Sequence, residues 1–319
     1  MKFFIICFKQ NIDYLQFFYY NTNMENKSVN IKDSSLSFVS AFLLCQFGVV
    51  IASIFTLFFL RFAGVKIENL ETFSSSAVGY LISALALYAV MLCIFLFFNR
   101  KKSNKITNTL KFKKLIFYIL VAATTFFMLY PIIVCFDSLL IKCGVKLSTL
   151  PYQLTTKNYF ISLLSLVIAP AVCEELLFRG IIFKGLNNHG KSFAICVSAI
   201  MFSIFHMSIS QTIYPFLMGL MLGVIMCYEQ NIYYCIAVHM TNNFLSLTLS
   251  YFKINLIFKH WSYLILAIIL AFAFISTVLY FTIKNNKTHE KQKLSQADKI
   301  YLFSSLAIML LIWVIINFI

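Results

Sequence analysis

The sequence predicts an all-α fold, a polytopic transmembrane helical bundle of about eight to nine spanning helices. Three observations predict it: 61% of the 319 residues are hydrophobic, only 12% are charged, and the apolar residues fall in long runs. A water-soluble domain of this length could not hide so much apolar surface, so lipid must be the solvent for most of the chain. About 20 apolar residues cross a hydrocarbon core of roughly 30 Å as a helix.

Nine segments meet that requirement, centred on 37–63, 77–98, 114–136, 160–186, 191–209, 211–227, 231–250, 261–283 and 300–318. No internal repeat, Pro-rich or Gly/Ser-rich linker, or soluble domain interrupts them. Residues 36–319 therefore read as a single integral membrane domain, preceded by a cytoplasmic N-terminal segment, 1–35. The first 23 residues are rich in Phe and Tyr and lack a signal-peptide cleavage site. Met24 is an alternative start, and an interfacial helix is the other reading of this stretch.

The net charge of +15 would point to nucleic acid in a soluble protein. In a membrane protein the positive-inside rule accounts for it, and no nucleic-acid partner is expected. The stretch from Arg100 to Lys114 is strongly basic with no acid, and Lys284 to Lys299 adds further lysines. Placing both in the cytoplasm puts the N-terminus inside. The nine cysteines are scattered without a CxxC and lie mostly in apolar helices, where Cys behaves as a small hydrophobe.

Ionisable groups at membrane depth are costly and default to functional candidates. Glu174 and Glu175 are the acids expected inside a helix, and His206 and His239 the histidines; no helix core is expected to hold an Asp. Glu174 and His206 each lie 16 residues from Gly190 in an antiparallel hairpin, so both sit about 24 Å from the turn. The turn then projects into the cytosol, and His239, about 12–15 Å along its own helix, falls at a similar depth. Glu175 and Arg179 are an i,i+4 pair placed to bridge each other. Glu174 is rotated about 100° away and can face the histidines. His239 and Asn243 share a face and can reach one water or one carbonyl. A carboxylate held between desolvation and an imidazole suits a general base. Singly, each motif is equally a helix–helix hydrogen bond or staple. A buried Glu/His set alone also fits a proton relay, although no repeated halves or broken helix pairs support a transporter.

The ordered set Glu174-Glu175-xxx-Arg179, Phe202-xxx-His206 and His239-xxx-Asn243 resembles the three motifs of the CPBP family, the CAAX proteases and bacteriocin-processing (Abi) enzymes, over a core of about 158–250. The resemblance implies an intramembrane endopeptidase with a cavity open toward cytosol and membrane. It implies that Glu174 activates water, that His206 and His239 position it or assist proton transfer, and that Asn243 holds the water or the oxyanion. Glu175, Arg179 and Phe202 would be supporting residues. The substrate would be a membrane-delivered peptide or small membrane protein, in a bacterial cytoplasmic membrane, in peptide processing or bacteriocin self-immunity. A non-catalytic immunity protein is the alternative. The cofactor is unknown: Glu174, His206 and His239 could bind zinc, but without HExxH the slight preference is metal-free, glutamate-activated water.

Overall fold

The computed structural model describes residues 29–64, 76–99, 110–147, 152–253 and 292–318, with single positions at 73, 150, 265 and 269. Among the described residues the chain is helical without strands. Eight helices follow one another: α1 (Ile31–Phe62), α2 (Ala77–Asn99), α3 (Phe112–Lys142), α4 (Thr156–Asn187), α5 (Lys191–Phe205), α6 (Ile213–Glu229), α7 (Ile232–Tyr251) and α8 (Gln296–Phe318). Helices α1 to α4 and α8 are long and apolar enough to span a membrane, whereas α5 and α6 are shorter apolar helices. The expected 261–283 span lies outside the described residues apart from isolated positions, as does most of the 1–35 segment.

Three boundaries differ from expectation. Helix α1 starts at Ile31 rather than 37 because Asn30 and Asp33 form a reciprocal capping box. Its polar first turns are anchored, with the Ser34 hydroxyl donating to the Ile182 carbonyl at 3.0 Å. Helix α3 continues to Lys142 rather than 136, so Asp137 lies inside a helix, contrary to the expectation that none would. Helix α5 stops at Phe205 rather than 209, with His206 as its C-cap and Met207 in a left-handed conformation (φ 51°).

Side-chain contacts fix which helix ends lie together. At one end, Asn188 reaches the Val29 carbonyl, Lys114 pairs with Glu229 at 2.6 Å, and His189 contacts the Gln292 carbonyl at 2.8 Å. The basic residues Lys111, Lys113 and Lys114 start α3 at this end. At the other end, Tyr80 packs on Tyr152 and the hydroxyls of Thr156 and Tyr251 meet at 2.9 Å. Helices α5 and α6 form a hairpin whose open ends face the basic end. A Cβ built on Gly219 would sit 2.8 Å from the Ala199 Cα, and one on Gly223 would sit 3.2 Å from Ile195. This small-xxx-small spacing is what lets two membrane helices touch backbone to backbone.

Candidate active site

Helix α4 carries both glutamates between two wide π turns, Leu164–Ile168 and Phe178–Ile182. Pro170 follows the first turn; it has no N–H to give to the preceding turn. Gly180 lies in the second, where a Cβ would meet the Phe95 ring at 2.8 Å. Such insertions rotate the helix face that follows them, and they recur at functional sites.

Glu175 lies at the centre of a buried network. Its Oε1 is 3.1 Å from an Arg179 guanidinium nitrogen and 2.9 Å from Nδ1 of His239. Arg179 also donates to the Gly219 carbonyl at 3.2 Å and lies over the Phe202 ring at 4.8 Å. Glu175 and Arg179 are wholly inaccessible to solvent. Breaking such a pair by removing one partner leaves an uncompensated charge.

The partners of each histidine set its tautomer. A carboxylate oxygen accepts, so His239 donates to Glu175 Oε1 from Nδ1, and in the neutral ring Nε2 then carries the lone pair. That Nε2 lies 3.9 Å from Glu174 Oε2, a buried oxygen with no hydrogen-bond partner among the described residues. His206 reaches the same state by a different route. Its backbone N–H bonds Ser203 rather than the Phe202 carbonyl, and its Nδ1 takes that carbonyl at 2.8 Å. One of the orphan carbonyls of the helix end is thereby satisfied, and Nε2 is again left as an acceptor. The two imidazoles flank Phe202 edge-on, at centroid distances of 5.0 and 5.8 Å.

A cavity of about 530 Å³ brings Glu174, Phe202, His206, His239 and Asn243 to one wall system. All four residues expected to be catalytic therefore line one cavity, and Glu175 and Arg179 stand behind His239. The cavity continues past Tyr80, Leu150 and Ser250. Those residues belong to the end of the bundle opposite Lys111 to Lys114, so the space runs away from the basic end rather than toward it.

Among the described residues no group of three His, Cys, Asp or Glu side chains is gathered as a metal site. Glu174, His206 and His239 are accordingly not gathered as a three-ligand zinc set.

Some contributors gave no signal in the sequence. Tyr214 donates to the Asn242 side chain beside Asn243, and both line the cavity. Asn317, at the far end of α8, accepts from the Ile209 N–H at 2.7 Å and reaches the Met207 carbonyl at 3.4 Å. It thus clamps the loop that presents His206. Ser203, three residues before His206, is structural, donating to the Thr212 carbonyl at 2.6 Å.

The described helical bundle thus sets a carboxylate–imidazole constellation against an internal cavity. Residues 156–245 match the family described as Rce1-like, Type II CAAX prenyl endopeptidase Rce1-like. This matched segment runs from α4 through most of α7 and contains Glu174, Glu175, Arg179, His206, His239 and Asn243. No curated protein and no solved structure matches the chain.

Proposed function

We propose that the protein is an intramembrane endopeptidase in which Glu174 activates water against a peptide carbonyl. The observation that carries this reading is His239 held between two glutamates, with Glu175 on Nδ1 and the unpartnered Glu174 oxygen near Nε2. A water at ordinary hydrogen-bond distance from both Glu174 and His239 fits a separation of 3.9 Å. Glu174 takes one proton as the water oxygen bonds to the carbonyl carbon. The Asn243 amide, one helical turn from His239, donates to the developing oxyanion. The carbon–nitrogen bond then breaks as the captured proton passes to the leaving amine. The second O–H of the water donates to Nε2 of His239, which steadies its orientation, and His206 Nε2 is available to accept from the substrate or a further water.

The substrate in this reading is a peptide or small membrane protein delivered in the bilayer. The setting is a bacterial cytoplasmic membrane with the N-terminus and the basic loops inside. Peptide processing or bacteriocin self-immunity is the role the motif set favours. Glu174→Gln and His239→Ala are expected to reduce cleavage of a membrane-delivered peptide at least about a thousandfold while leaving the protein folded and inserted. Cleavage by the purified Glu174→Gln protein at near wild-type rate would sink the proposal.

A further inference from the structure

The cavity extends well beyond the groups that the proposed hydrolysis uses, and its chemistry is lopsided. Its lining contains two carboxylates, Glu174 and Asp137, and not one lysine or arginine. Asp137 sits inside α3, a membrane-spanning helix, where an acid is expensive and is kept for a reason. Among the described residues it has no salt-bridge or hydrogen-bond partner, in contrast to Glu175 and Glu229, whose cations are at 3.1 and 2.6 Å. Tyr80, Tyr88 and Tyr130 line the same space, and tyrosine rings favour a cation over an anion.

Position along the helices places Asp137 nearer than Glu174 to the end of the bundle opposite Lys111 to Lys114. It lies five residues before Lys142, where α3 ends, whereas Glu174 lies 18 residues after Thr156, where α4 begins at that same end of the bundle. At 1.5 Å per residue the two differ in depth by roughly 20 Å. An extended peptide covers that distance in about six residues.

We propose that Asp137 is a specificity-determining residue, pairing with a basic side chain of the peptide about six residues from the scissile bond, and that the substrate threads in from the end opposite the basic loops. This rests on the endopeptidase reading for the identity of the ligand, and it adds the charge class of the substrate and the direction of entry. An acidic segment meets two carboxylates and no counter-ion and is rejected. An uncharged segment enters without the ion pair.

The test uses full-length protein in micelles and two synthetic probes: an apolar 16-residue peptide with one lysine, and its counterpart with norleucine at that position. Binding is measured on the Glu174→Gln variant, so the outcome does not depend on turnover. The lysine peptide is expected to bind about tenfold tighter or better, and Asp137→Asn is expected to abolish that preference while leaving norleucine-peptide binding unchanged. Asp137→Lys is expected to favour a glutamate peptide instead. Equal affinity for the lysine and norleucine peptides, or a preference that survives Asp137→Asn, overturns the proposal. Cleavage of both peptides by the wild type is read separately: its absence counts against the endopeptidase reading and leaves the binding comparison to decide this one.

Discussion

The outer helix α1 and the middle of α4 are built from similar apolar residues, yet they solve opposite problems. Along α1, Phe55 and Phe58 are 70% and 72% exposed, and their rings face outward where a bilayer would meet them. In α4, Leu177 through Ile182 are completely buried, with a guanidinium among them. In water the informative feature would be the exposed phenylalanines; in lipid it is the buried Arg179 and Glu175. Association between membrane helices gains little from hiding apolar surface, because lipid tails are equally apolar. The central region is instead held by close backbone contact and by polar groups that have no other partner within reach.

The largest expected effect breaks this contrast at its centre. Arg179→Ala removes the only cation bonded to Glu175 among the described residues and is expected to destabilise the fold by about 3–5 kcal/mol. It also unfixes His239, whose Nδ1 shares the same Glu175 oxygen. The matched change Phe58→Ala on α1 is expected to cost under about 0.5 kcal/mol. Unfolding in mixed micelles compares the two, and similar losses would refute the contrast.

A smaller effect is expected at the hairpin. Gly219→Leu forces α6 away from Ala199 and displaces the carbonyl that receives Arg179. A cost of about 2–3 kcal/mol from overpacking is expected, with activity falling along with stability. Gly64→Leu, where a Cβ meets nothing but φ is +82°, is expected to lose stability through backbone strain alone and to leave the activity of the folded fraction intact. Activity per folded molecule separates the two variants.

The smallest effect concerns α8. Asn317→Leu removes the clamp on the Met207–Ile209 backbone and is expected to lower kcat about tenfold with little change in KM. Asn317→Gln should restore part of it. A fall in folded yield with unchanged kcat would mean that Asn317 serves only to dock the helix.

Much of this was legible before any coordinates. Hydropathy located the five long apolar helices that are described, because the bilayer imposes a minimum length and an apolar composition on a crossing segment. The charge runs grouped Lys111 to Lys114 with the stretch before Lys299, and Gln292, where the described part of that stretch begins, lies at the same end of the bundle as Lys114. The motif triple named the cavity residues because their types are rare at membrane depth. Illegible were the ends of helices, where capping competes with hydropathy: Asn30 lengthened α1, and the switch of the His206 N–H to Ser203 shortened α5. Illegible too was Asp137, which a boundary six residues short left outside the helix.

By itself the sequence determined that this chain folds in lipid as helices and that Glu174, Glu175, Arg179, His206, His239 and Asn243 are its unusual residues. Those facts follow from composition and local spacing, which the backbone converts into faces and depths. Only the tertiary structure decided that Glu175 serves His239 as well as Arg179, that Asn317 reaches across from the last helix, and that the cavity runs toward the end opposite the basic loops. These depend on how helices far apart in the chain rotate and settle against one another. That is fixed by glycine contacts, π turns and shared hydrogen bonds, which hydropathy does not register.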